Sequence, residues 1–200
     1  VKDEAQKLKY YETITQQSER LSRLVENLLD FSKIEAGMKE YEFAKADVAG
    51  LVEEAIAGFR SQATQQGIRI ETEIAEETPS VLLDREAVQR AVSNLLDNAL
   101  KHTPEGAPAV SISTARRPDR LEIFVEDRGE GIPAAALPHL FEPFYRPDVS
   151  RSRKTGGYGL GLSLCKAIID AHGGSIDLVS TLGEGTRVTV TIPRSAPDAF

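Results

Sequence analysis

The sequence predicts an α/β fold: a two-layer sandwich of a mixed, mostly antiparallel sheet with helices on one face, led by a long N-terminal helix. Three features carry that expectation. The stretch from about Asp3 to Ala36 has no proline or glycine and repeats apolar side chains in a heptad-like way. Several short segments beyond residue 68 alternate apolar with polar side chains, as strands with one buried face do. Helices and mostly antiparallel strands are segregated along the chain, an order that favours a two-layer sandwich over a doubly wound parallel sheet.

The first helix takes its seam from Ile14, Leu21 and Leu28, interleaved with Leu24 and Phe31 and backed by Val25 and Leu29. Gln16, Gln17, Glu19, Arg20, Arg23 and Glu26 fill the other face, so the helix cannot bury its seam alone and needs partner helices from the same chain or another. Gly37 ends it. A short strand is expected around Tyr41 to Phe43, after which Asp47 caps a second helix running to about Gln66, where Gly67 stops it. Ile68, Ile70, Thr72 and Ile74 alternate as a half-buried strand, Val81 to Leu83 read as another, and Asp84 is placed to cap a helix from Arg85 to about His102. Val110 to Thr114 and Leu121 to Val125 flank an Arg-Pro-Asp turn as a hairpin. Ser175 to Ser180 and Thr186 to Ile192 form another around Gly183-Glu184-Gly185. Between the hairpins lie a polar stretch, 128–157, punctuated by glycine and proline, and a helix from about Leu160 to Ala171.

Two hundred residues, 40% of them apolar, suffice for one full domain and a smaller appendage. A formal charge of -7 argues against a general nucleic-acid binder, so any phosphate site must be local. The single cysteine, Cys165, cannot form an internal disulfide and sits in an apolar helical run, where a buried, inert thiol is expected. No apolar stretch has membrane-spanning length and no signal-peptide pattern is present. The fragment is therefore expected to be soluble and cytoplasmic, without membrane contact of its own, in a parent protein that can be membrane-anchored.

Several short motifs carry chemistry. In Asn94-Leu95-Leu96-Asp97-Asn98-Ala99-Leu100-Lys101 the spacing of four and then three puts Asn94, Asn98 and Lys101 on one helix face. A solvated face is the plain alternative, but mid-helix asparagine is less favourable than the Glu or Lys usual there. Amide oxygens can ligate Mg2+, and lysine can meet a phosphate as a point charge. Asp127-Arg128-Gly129-Glu130-Gly131 follows a strand. It reads either as an ordinary turn or as a carboxylate that accepts from the exocyclic amine of adenine, with glycines letting the backbone approach a ligand. Gly156-Gly157-Tyr158-Gly159-Leu160-Gly161-Leu162 places four glycines before an apolar helix, as a hinge or as a phosphate cradle of exposed N–H groups.

These motifs occur in one order, and with Phe141-Glu142-Pro143-Phe144-Tyr145-Arg146 and Ser180-Thr181-Leu182-Gly183-Glu184-Gly185-Thr186 they resemble the histidine kinase branch of the gyrase, heat-shock chaperone and MutL ATPase superfamily. The resemblance spans essentially the whole chain. It implies a Bergerat-type ATP-binding fold over 38–195, with an ATP lid at about 133–157, and places 1–37 as the second helix of a dimerisation and phosphoacceptor hairpin. By the same resemblance Asn98, helped by Asn94, would hold Mg2+ on the ATP phosphates, and Lys101 and Arg146 would contact phosphate oxygens. Asp127 would read the adenine amine, and Gly157, Gly159 and Gly161 would line the phosphates. His102, Gly129, Gly131, Ile132, Tyr145, Tyr158, Leu160, Leu162 and Thr186 complete the implied nucleotide site. Phe141, Phe144 and Tyr145 would anchor the lid, and Arg151, Arg153 and Lys154 would add positive charge to it. His102 stands where members often carry an aromatic ring near adenine, and Tyr158 where they carry Thr. The hydrolytic branches place a glutamate where Asn94 stands; an amide cannot take a proton from water, which favours transfer over hydrolysis.

The resemblance also implies a phosphoacceptor histidine followed by an acidic residue and an Arg-Thr-Pro-like run. Only His102, His139 and His172 exist here, and none has that context. The expected function is thus the ATP-binding catalytic domain of a two-component sensor histidine kinase, acting on a histidine outside this chain and feeding a response regulator, with a possible homodimer through the N-terminal helix. The alternatives are an ATP-hydrolysing or anti-sigma serine-kinase relative, and a degenerate nucleotide-binding interaction module.

Overall fold

The computed structural model describes residues 2–75, 80–106, 109–147 and 158–194. The chain divides into two units, Val1–Lys39 and Glu40–Phe200. The first is a single helix, α1 (Lys2–Glu35). Tyr10, Tyr11, Ile14, Leu21, Val25, Leu28 and Leu29 are exposed along it, because one helix offers nothing against which to bury a seam. The helix is closed by a hydrogen bond from Met38 N–H to Lys33 O (2.8 Å), which left-handed Gly37 permits.

The second unit runs β1 (Ala44–Ala46), α2 (Val48–Gln65), β2 (Ile70–Glu73), β3 (Val81–Leu83), α3 (Arg85–His102), β4 (Val110–Arg116), β5 (Arg120–Asp127), a 3-10 turn (Ala134–His139), α4 (Gly161–Ala171), β6 (Ser175–Thr181) and β7 (Gly185–Pro193). Five strands form one open sheet in the order β2-β4-β5-β7-β6; β2 pairs parallel with β4 and every other pairing is antiparallel. β1 and β3 make a separate two-stranded ribbon. The core lies between the sheet, through Ile112, Leu121, Ile123, Val125, Val190 and Ile192, and the helices, through Leu95, Leu96, Leu100, Leu164 and Ile169. This is the mixed two-layer sandwich that the sequence predicts. No helix among the described residues is long and apolar enough to cross a membrane.

The helix starts follow from local chemistry. Asp47 accepts from Ala49 N–H and Asp84 from Ala87 N–H, each at 3.0 Å, so both predicted caps satisfy a donor that the first turn leaves open. The first short strand lies at 44–46 rather than at Tyr41 to Phe43. The rings of Tyr41 and Phe43 instead pack on His172, with centroids 5.3 and 4.9 Å away, and ladder pairing starts only at Ala44 opposite Leu83.

His172 itself is 1% exposed. Its Nε2 accepts from Asp84 N–H (3.0 Å) and its Nδ1–H donates to Ile168 O (2.7 Å), an arrangement that only the neutral ring can make. Burial accordingly holds its pKa below the ordinary histidine value. Asp84 also accepts from Glu42 N–H at 3.0 Å. The segment before β1, the start of α3 and the end of α4 are thereby tied at one point.

Candidate nucleotide site

α3 buries Ala87, Val88, Ala91, Val92, Leu95, Leu96, Ala99 and Leu100, which recur in pairs every four residues and leave a polar edge at Asn94, Asp97, Asn98 and Lys101. Asn94 and Asn98 are half-buried. The Asn94 amide nitrogen is buried without a hydrogen-bond partner; it lies near enough to the Cys165 sulfur to favour a thiolate there, without hydrogen-bond geometry. Burial dominates, however, and pushes the Cys165 thiol up to about 12, while its S–H lies 3.4 Å from Ala91 O. Lys101 pairs with Asp97 at 2.5 Å, the i, i+4 contact its spacing allows, and both side chains are partly buried.

At the C-terminal end of α3 the sheet contributes a polar row. Asp127 on β5 lies opposite Thr186 on β7, which lies opposite Ser180 on β6. The next rows inward are Val125, Val188, Leu178 and then Ile123, Val190, Ile176, so the polar row sits where the apolar face of the sheet ends. Asp127 is 9% exposed and its Oδ1 accepts from Gly129 N–H at 2.8 Å. Burial, the larger influence, holds its carboxyl above the ordinary carboxylate range even though the Gly129 and Thr186 backbone N–H groups favour ionisation. A buried acceptor so incompletely compensated is suited to a ligand donor.

Gly129 and Gly131 are needed here for close approach. A methyl on Gly129 would lie 2.8 Å from the His102 carbonyl carbon, and one on Gly131 2.7 Å from the Thr181 carbonyl carbon. Glu130 N–H donates to His102 O at 3.3 Å, and the His102 ring pairs with Glu130 at 3.2 Å. Ile132 N–H donates to Ser180 Oγ at 2.9 Å.

The other side of the site is the start of α4. It begins at Gly161 with no side-chain cap, so its first-turn N–H groups are left to a ligand or solvent. A methyl on Gly161 would stand 3.7 Å from Asn98 Nδ2, which places the α4 N-terminus beside the α3 amides. Leu160 is buried and Leu162 half-buried. Gly159 (φ 73) accepts from Phe144 N–H at 2.9 Å.

The implied lid opens with the 3-10 turn, whose Ala136 is buried together with the following Leu140. Phe141 and Tyr145 are half-buried, and Tyr145 packs on His139 at 5.3 Å. Phe144 departs from the anchoring expected of its ring: it is 60% exposed at φ 64, and its backbone makes the attachment. Half-buried Arg146 and 39%-exposed Tyr158 flank 148–157. Gly156, Gly157, Arg151, Arg153 and Lys154 fall outside the described residues.

Two side-chain contacts here are given no role by the sequence reading, although their residues lie in its motifs. The Asp97–Lys101 pair has a local signal, its i, i+4 spacing. The Ser180 hydroxyl, bonded to Gly185 O (2.8 Å) and Thr186 Oγ1 (2.9 Å), has no local signal. For a divalent ion, no group of three His, Cys, Asp or Glu among the described residues could hold one by itself. Asn94, with its nitrogen turned into the protein, has its oxygen left as the available ligand atom, and Asn98 stands one turn on. Such a pair fits Mg2+ that arrives with phosphate oxygens rather than alone.

An uncapped helix start facing a helical amide edge, with a buried carboxylate where that edge ends, defines an ATP-binding α/β domain. Residues 83–196 match the model of the histidine kinase-, DNA gyrase B-, and HSP90-like ATPase family, and residues 2–37 match the His Kinase A (phospho-acceptor) domain. The chain belongs to that ATPase family, as a histidine kinase ATPase domain preceded by phosphoacceptor-domain sequence. It is 39% identical over 182 residues to the alginate biosynthesis sensor protein KinB of Pseudomonas aeruginosa, covering 91% of this chain and 30% of that protein. It is 35% identical over 179 residues to the sensor histidine kinase WalK of Bacillus subtilis, covering 88% of this chain and 29% of that one. The chain thus spans less than a third of either relative. Among solved structures, full-length ShkA in complex with AMPPNP superposes with a TM-score of 0.79 at 26% identity, over 96% of this chain and 40% of that one. The Acinetobacter baumannii histidine kinase AdeS does so with a TM-score of 0.76 at 26% identity, over 92% and 83%.

Proposed function

We propose that this chain binds Mg2+-ATP and presents its γ-phosphoryl group to a histidine carried on phosphoacceptor sequence outside these residues. The observation that carries the reading is the double service of α3, whose Asn98 faces Gly161 at the start of α4 while its last carbonyl, on His102, abuts the Asp127 loop. Asp127 accepts from the adenine amine, with His102 beside the base and Gly129, Gly131, Ile132 and Thr186 shaping that end. Gly157, Gly159, Leu160, Gly161 and Leu162 line the phosphates, whose negative charge the N-terminus of α4 favours. Lys101, released from Asp97, and Arg146 meet phosphate oxygens, with Tyr145 and Tyr158 bordering them. Mg2+, held by Asn98 and Asn94, supplies neutralisation of phosphate charge.

The acceptor's imidazole nitrogen attacks the γ-phosphorus with its lone pair, the bond to the β,γ-bridging oxygen breaks, and ADP leaves. The chain's part in this is positioning and charge complementarity. Asn94 offers no base for water, which supports transfer over hydrolysis. On this reading residues 38–195 form the catalytic domain and 1–37 the second helix of the dimerisation hairpin. The exposed α1 seam is then covered by the first helix of that hairpin and a second copy, and a response regulator takes the phosphoryl group onward. Mixing this chain with a separately expressed phosphoacceptor fragment and labelled ATP is expected to give acid-labile phosphohistidine. Intact nucleotide binding without any labelled acceptor would overturn the proposal.

A further inference from the structure

We propose that Ser180 sets the purine selectivity of this site by fixing where Thr186 sends its hydroxyl proton. The inference rests on the nucleotide reading above and names a positioning residue within it.

Proton accounting forces the arrangement. Ser180 Oγ lies 2.9 Å from Ile132 N, 2.8 Å from Gly185 O and 2.9 Å from Thr186 Oγ1. The Ile132 amide can only donate and the Gly185 carbonyl can only accept, so the one Ser180 proton goes to Gly185. The contact with Thr186 must then use the Thr186 proton. Thr186 is left with lone pairs alone, next to Asp127, which lies opposite it on the same face of the sheet.

The polar row therefore presents acceptors only: the Asp127 carboxylate and Thr186 Oγ1. A purine with an amine at position 6 can donate to this row, whereas a purine with a carbonyl there brings oxygen against oxygen. Without the Ser180 hydroxyl, Thr186 is free to turn its proton outward and meet that carbonyl. Selectivity would then rest on Asp127 alone. Ser180 touches no ligand in this account; it acts through Thr186.

The test is calorimetric titration of the chain with Mg2+-ADP and Mg2+-IDP, which carries the 6-carbonyl. Ser180→Ala is expected to lower the ADP-over-IDP preference by about three- to tenfold, the worth of one neutral hydrogen bond. Ser180→Thr, which keeps the hydroxyl, is expected to restore the preference. If Ser180→Ala leaves both affinities unchanged, or lowers both in the same proportion, the residue is structural only and the proposal fails. Should Ser180→Ala not fold, Thr186→Val, which keeps the shape without the hydroxyl, is expected to show the same loss of preference; an unchanged preference there also overturns it. A wild-type chain that binds neither nucleotide defeats the nucleotide reading as a whole, whereas normal ADP binding with an unaltered preference in the variants defeats Ser180 alone.

Discussion

Replacing Asp127 by Asn separates recognition from stability at one atom. The side chain is 9% exposed and its Oδ1 accepts from Gly129 N–H at 2.8 Å; on the proposed reading the second oxygen is the acceptor for an adenine amine. An asparagine that keeps the Gly129 bond turns its NH2 towards that amine, donor against donor. The cost of such a mismatch is about 1 to 3 kcal/mol, or roughly 5- to 150-fold in affinity. The pH dependence carries its own sign. Burial raises the folded-state pKa of Asp127 above its ordinary value of 3.8. Its stability contribution is therefore complete below that value and is lost as pH rises through the raised folded value. Asparagine does not titrate, so the stability of Asp127→Asn relative to the wild type should climb as pH rises through that window. Titration with Mg2+-ADP measures the affinity, and nucleotide-free thermal unfolding between about pH 4 and 8 measures the slope. Undiminished ADP affinity in the variant would remove Asp127 from the site, and a relative stability that falls with rising pH would refute the electrostatic argument. In the wild type, affinity for ADP should weaken as the pH drops into the same window, because the protonated carboxyl loses its attraction for the amine.

Three further outcomes are expected. His172 has a folded-state pKa below its ordinary 6.5, so its contribution is complete above that value and is lost as pH falls below it. His172→Phe should remove that slope in urea unfolding and cost about 1 to 3 kcal/mol at neutral pH by orphaning the Asp84 N–H; an unchanged slope would assign it to other groups. Gly159→Ala and Gly161→Ala should diverge. Gly159 has φ 73, and an added methyl would lie 2.7 Å from the Phe144 carbonyl carbon, so that variant should lose about 1 to 2 kcal/mol from its left-handed backbone alone. Gly161→Ala, with 3.7 Å to Asn98 Nδ2, should hold its melting temperature yet lose ADP affinity; equal melting losses in the two would contradict the geometry. Cys165, buried with its thiol pushed up to about 12, should resist a disulfide reagent until the chain unfolds, and rapid labelling of the native protein would contradict its burial.

Local physics made much of this molecule legible in the sequence. The α3 amide edge follows from a 3.6-residue period, and Asp47 and Asp84 announce their helices because a cap acts on residues two or three positions away. The turn at Asp127 and its glycines is local too, because a strand end that must turn sharply against neighbouring backbone is confined to five residues. What escaped is held together by long-range contacts. Residues 41, 84 and 172 meet only in the folded chain, and nothing near His172 in sequence marks it as an acceptor for the Asp84 N–H. β2 finds its parallel partner β4 across β3 and α3, a choice made by the sheet as a whole. The anchoring that the resemblance implies for the Phe144 ring is not made by the ring, which is 60% exposed; its backbone bonds to Gly159 instead.

The distribution of restraints around α3 decides which half of the site is fixed. Asp84 and His172 hold its first turn; at the other end Thr103 Oγ1 donates to Ala99 O at 2.7 Å and Glu130 N–H reaches His102 O. The amide edge lies between those restrained ends, so on the proposed reading Asn94 and Asn98 are held in place before a nucleotide arrives, as preorganised binding requires. Opposite them, Phe144 N–H donates to the carbonyl of Gly159, which takes a left-handed backbone at φ 73. Substitutions that loosen α3 should therefore weaken ADP and ATP alike by misplacing the shared ligands, whereas Gly159→Ala should act on the phosphate side and weaken ATP more than ADP, a contrast that parallel titrations with the two nucleotides would expose.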